Sequence, residues 1–202
     1  MSESDIPELC RRIYQKHQTA LDLIYKHRPD RQATIRDWLV ALIHQAPELV
    51  PDSTGKGEIF FAPNDWKDLK GDAWTMSKRM LLFLFVNSSD SLRLKLVIGP
   101  GPRQTREALH QWALDSPSPV FRATEKRLFE KYNTIYNLKL LLPKDYEDTD
   151  EELEQKISQQ WQKFLDDDLP GIKSTLHVAD FITPDSEPKV QPNSGVLSNI
   201  NN

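Results

Sequence analysis

Cysteine is all but missing from this chain, with Cys10 the only one in 202 residues. That excludes an internal disulfide and any metal site built from several thiolates. Long apolar runs are missing too. The longest, Met80 to Val86, has the length of a strand, whereas a membrane-spanning helix needs roughly 18 residues. The N-terminus, Met-Ser-Glu-Ser-Asp, carries neither the basic nor the apolar region of a secretory signal. These absences lead us to expect a cytoplasmic protein without membrane contact. Catalytic signatures are equally scarce. His17, His27, His44, His110 and His177 stand far apart, and no two share the HExxH spacing of a zinc helix. No serine sits in GxSxG, and there is no Walker-type loop. Neither a cofactor, nor a metal, nor a catalytic residue is expected, and no internal repeat is visible.

What is present is an ordinary globular composition with an uneven charge. The net charge of −4 argues against a generic nucleic-acid binder. It conceals two opposed regions. Lys70 to Lys139 holds twelve Lys/Arg against six Asp/Glu, and Pro143 to Asp168 holds three Lys against ten Asp/Glu. Such polarity fits a basic binding face, an acidic element that covers it, or two solvated surfaces.

The period of the apolar residues assigns the elements. From Asp5 to His27, residues such as Ile6, Leu9, Cys10, Ile13, His17, Leu21 and Ile24 recur at mostly three- and four-residue intervals, the stripe of a long helix. Cys10 falls on that stripe and reads as a buried structural thiol; His17 and His44 read as core or boundary histidines. Pro29 stops the helix. Asp30 can cap a second one with Ile35, Trp38, Leu39, Leu42 and Ile43 on its apolar side. The two make an αα-hairpin that must pack on something. Ile59 to Phe61 then reads as a short strand, and Met80 to Val86 as a strand buried on both faces. After the turn residues Asn87 to Asp90, Leu92, Leu94 and Leu96 alternate with Arg93 and Lys95, which predicts a half-buried strand paired with the previous one. Gly99 to Pro102 turns into a helix with Leu109, Trp112 and Ala113; a short helical stretch over 124–131 and a strand over 134–142 follow. Thr149 with Glu152 forms a capping box before the last helix, which Pro170-Gly171 breaks. The expected fold is therefore α+β. A single domain spans 1–182, with a helical hairpin over 1–50, a mostly antiparallel sheet of about four strands with helices over 57–142, and a C-terminal helix over 149–169. Residues 183–202 read as a disordered tail.

Two constellations bear on function. Pro51-Asp52 and Asp68-Leu69-Lys70 satisfy the bare nuclease pattern PD…(D/E)xK, which needs carboxylates gathered on Mg²⁺ beside a lysine. The surrounding 64–71 segment is polar and turn-like rather than a rigid strand, so the match reads as formal. The second is a set of cations: Arg93 and Lys95 on the predicted hairpin, Arg103 and Arg106 at a helix start, and Arg122, Lys126 and Arg127 soon after. Converged, they would make a surface for phosphates; dispersed, they are solvated charges. Trp66 and Trp74, in a loop among Lys67, Lys70, Lys78 and Arg79, suit either base stacking or packing over the sheet.

Three stretches, His17 to Asp30, Leu92 to Pro102 and Glu151 to Leu165, together resemble the C-terminal region of prokaryotic PD-(D/E)XK nuclease-superfamily proteins. In such proteins the nuclease core with its catalytic residues precedes this region, so no catalytic residue carries over. The resemblance implies an accessory domain that contacts DNA, a nuclease core or a partner protein, in restriction or phage defence. A protein-interaction or dimerisation module, with a second copy as one partner, is the reading from another class. An enzyme built on Asp52, Asp68 and Lys70 with Mg²⁺ is the third.

Overall fold

The computed structural model describes residues 5–26, 30–72 and 74–182. The expected tail over 183–202 and the stop at Pro29 lie outside them. The fold is α+β: an N-terminal helical hairpin, one antiparallel sheet, and further helices. No helix among the described residues is long and apolar enough to cross a membrane.

The hairpin's two arms are unequal. Helix α2 (Arg31–Gln45) is capped by Asp30, whose carboxylate accepts from the Ala33 amide at 3.1 Å. It buries Ile35, Leu39 and Ile43, one residue per turn on a single face. Helix α1 (Ile6–Lys26) buries none of its residues. Cys10 is exposed rather than buried, because nothing among the described residues packs on its side of α1. His17 is likewise no core histidine: it is exposed and interrupts the helix at φ −126°, ψ 23°. The Tyr14 hydroxyl donates to Asp22 Oδ1 at 2.7 Å. These groups lie eight residues apart, about 12 Å along a straight helix, so α1 bends there.

Five strands follow in a simple meander: β1 (Leu49–Thr54), β2 (Glu58–Pro63), β3 (Leu81–Asn87), β4 (Leu92–Ile98) and β5 (Asn133–Leu141), in that spatial order. The strand beyond the expected four is β1. Pro47 and Pro51 read as helix breakers, but an edge strand tolerates proline because its outer amides need no partner, and Pro51 lies opposite Phe61 on that edge.

Register divides the sheet into two faces. Ile59, Phe61, Phe83, Phe85, Leu94, Leu96, Tyr136 and Leu138 occupy paired positions on the inner face. Helix α3 (Arg103–Asp115), helix α4 (Asp150–Lys163), a π turn (Phe164–Asp168) and α5 (Leu169–Thr175) join α2 in the core there. Trp161 meets Phe61 and Phe85 at centroid distances of 5.7 and 5.6 Å, and Phe164 meets Phe83 at 5.2 Å. Fully burying each such ring contributes about 2–3 kcal/mol. The capping box at Thr149 and Glu152 is formed. Pro170 does not end the helical run as expected: a π turn, in which the Leu169 amide reaches back to the Phe164 carbonyl, carries the still-helical backbone into α5, and Pro170 sits in its first turn.

Two other expectations change. The 124–131 segment is not helical. The Asn133 side chain serves its backbone instead, accepting from the Phe129 amide and donating to the Arg127 carbonyl, while the segment's own Glu125 accepts from the Thr134 amide of β5. His44 is exposed at the end of α2, whereas His110 is buried against the Glu125 carbonyl at 2.7 Å.

Candidate nucleic-acid interface

The outer face of the same sheet is built in cross-strand rows. Nearest the β3–β4 turn lie Glu58, Val86, Arg93 and Lys139; the next row is Phe60, Leu84, Lys95 and Asn137. A third holds Leu82 opposite Val97, and Ala62 is buried on β2. The helical core draws on the inner face, and Ala62, Leu82, Leu84 and Val97 are buried outside that core. Their cover at one end is Trp74. Its indole meets Phe60 edge-on at 5.3 Å and Tyr132 at 5.3 Å, and its N–H donates to the Arg79 carbonyl at 2.6 Å. Gly99 makes this seat. A Cβ built there would stand 2.3 Å from the indole, so any side chain would displace the ring. Trp74 thus packs over the sheet, and Trp66 is buried, stacked on Phe83.

Beyond Trp74 no helix among the described residues covers the outer face. Phe60 and Val86 are half-buried, as are Arg93 and Lys95, while Lys139 and Asn137 are exposed. Arg93 and Lys139 lie directly opposite each other, an arrangement that like charges disfavour. Among the described residues no carboxylate forms an ion pair with Arg93, Lys95 or Lys139. The acidic segment is not their cover, since α4 packs on the inner face. Its own lysine, Lys156, is held by Asp145 at 2.9 Å and by Asp148.

The remaining cations fall elsewhere. Arg103, Arg106 and Arg127 line a cleft of about 440 Å³ at the start of α3 with Gly101, Leu128 and Phe129. Arg103 is exposed and paired with Glu107 at 2.7 Å, which raises its pKa. Arg106 is no phosphate ligand. It is 5 % exposed, and its guanidinium donates to the carbonyls of Gly99, Phe129 and Glu130 and to Asn133 Oδ1. Burial pulls its pKa down, with Asp72 and Glu130 acting against that. Arg106 instead ties the 127–133 loop to α3. Arg127 lies over the Phe129 ring at 5.7 Å; Arg122 and Lys126 are exposed and do not line that cleft. The structure therefore brings together Arg93 with Lys95, and Arg103 with Arg106 and Arg127, but not all seven. Sequence reasoning missed Lys139 and Tyr132. Lys139 could have been found from a register between β4 and β5, which no local pattern supplies.

The formal nuclease residues are otherwise engaged. Asp52 accepts from the Thr75 hydroxyl at 2.9 Å and from the Ser77 hydroxyl, and Lys70 donates to the Ser77 carbonyl at 3.4 Å. The segment carrying Asp68 is a 3₁₀ turn and loop with one isolated bridge, Lys70 to Arg79, rather than a strand. Among the described residues no group of three or more His, Cys, Asp or Glu side chains gathers as a metal site.

Compared with family models, with curated proteins and with solved structures, the chain matches none of them.

Proposed function

We propose that this chain is a nucleic-acid-binding accessory domain of the kind its resemblance to PD-(D/E)XK proteins implies, in which cutting belongs to a separate nuclease core. The observation that carries the reading is the outer face, where Arg93, Lys95 and Lys139 stand beside apolar sheet positions without an ion-pair partner among the described residues. Phosphates supply what that face lacks. The acidic α4 on the opposite layer gives the molecule a polarity that would orient an approaching polyanion.

The test is binding of the purified chain to labelled DNA across a salt series, with and without Mg²⁺. Affinity should fall steeply with salt, the DNA should stay intact, and R93A/K95A/K139A should weaken binding and flatten the salt dependence. No binding at low salt would end this reading.

One observation favours a second reading, a protein-interaction or dimerisation module. Helix α1 leaves Ile13, Leu23, Ile24 and Tyr25 exposed, Tyr25 at 82 %. Sedimentation of the full chain against a variant with Ile13 and Ile24 replaced by Ser distinguishes a self-associating arm from an idle one.

A further inference from the structure

We infer that the outer face takes single-stranded rather than duplex nucleic acid, with unpaired bases stacked against Trp74 and Tyr132 and the backbone running over Arg93, Lys95 and Lys139. This rests on the nucleic-acid reading above and narrows it.

Three features carry the inference. The first is a pair of contacting rings, of which Trp74 is fixed in advance. Trp74 is seated on Gly99 and pinned by its N–H to the Arg79 carbonyl at 2.6 Å. Tyr132, inclined 43° to it, is 49 % exposed. A surface that is rigid before binding loses little freedom on binding, and any base offers a π-face to such rings. In a duplex those faces are already covered by neighbouring base pairs.

The second is shape. A duplex groove is read by an inserted helix or a two-stranded ribbon. Here the cations stand on β4 and β5, and β4 is flanked by strands on both sides, so the face presents a broad surface with nothing to insert. An extended single strand can lie along it.

The third is the order of the groups. Phe60 lies in the same cross-strand row as Lys95, and its ring meets Trp74. The aromatic platform therefore begins where the cation strip ends. Arg93 and Lys139, held opposite each other, gain a shared counter-ion when a phosphate settles between them.

The experiment compares one labelled mixed-sequence oligonucleotide, as DNA and as RNA, with the duplex formed by annealing its complement, by fluorescence anisotropy. The single strand should bind at least about ten-fold tighter than the duplex. Roughly three phosphate contacts give a log–log salt slope near −2. Removing one stacking partner with Y132A should weaken the single strand about 5- to 100-fold, with circular dichroism unchanged because Tyr132 is half exposed. K156A, on a cation of α4 across the sheet, should bind as the parent does. Duplex bound as tightly as single strand would overturn this inference and leave the nucleic-acid reading standing. Neither bound would remove both. Single-strand binding indifferent to Y132A and to R93A/K95A/K139A would place the contact elsewhere and overturn the assignment of this face.

Discussion

The two faces of β3 come from one uninterrupted apolar run, yet they end in different surroundings. Leu81, Phe83 and Phe85 sit under α2, α4 and the π turn, whereas Leu82 and Leu84 are buried outside that helical core, with a loop tryptophan at one end, and Val86 is half-buried. A strand's own composition thus does not say what closes each side of it. The partner elements decide that, and their number runs out on the outer face. The largest test of this contrast is F83A against V86A. Truncating Phe83, fully buried among Phe61, Trp66, Tyr136 and Phe164, should cost about 3–5 kcal/mol by urea denaturation. Removing the two methyls of half-buried Val86, a smaller truncation on the less covered side, should cost about 1 kcal/mol or less. Equal losses would mean that the outer face is closed as tightly as the inner one.

A smaller effect probes the edge of the outer face. In G99A the new methyl meets the Trp74 indole at 2.3 Å, so ring or backbone must move. Overpacking of this kind costs about 1–3 kcal/mol. In a W74A background the obstacle is gone, and the same change should cost at least about 0.5 kcal/mol less. Additive losses would show that Gly99 serves its own turn rather than the tryptophan's seat.

The contrast also explains what the sequence could reveal. The β3–β4 hairpin was legible because Leu92, Leu94 and Leu96 alternate with Arg93 and Lys95, and period two is a local signal. The capping box at Thr149 and the cap at Asp30 were legible for the same reason. Strand β1 was not, because its Pro51 is tolerated only through its position at the edge, which is a property of the assembled sheet. The 124–131 loop reads as helical until Asn133, at the start of β5, takes its backbone hydrogen bonds and Glu125 ties it to the Thr134 amide. Likewise the role of Arg106 depends on carbonyls more than 20 residues further along. The cation set was visible as a composition, while its division between a sheet face and a helix-start cleft required the register.

The smallest expected effect is the most discriminating. Arg93 and Lys139 face each other across β4 and β5 without an acid between them, and replacing such a like-charged pair by an opposite one is worth about 0.2–1 kcal/mol. R93E should therefore raise the unfolding free energy by a few tenths of a kcal/mol while weakening single-strand binding by more than R93A does, since it removes one phosphate contact and repels the backbone. Stability and binding moving in opposite directions would identify the pair as an arrangement kept for a ligand at the fold's expense. If R93E destabilised the protein instead, the aliphatic stem of Arg93 packed beside Val86 would outweigh its charge, and the outer face would owe its cations to packing rather than to a bound polyanion.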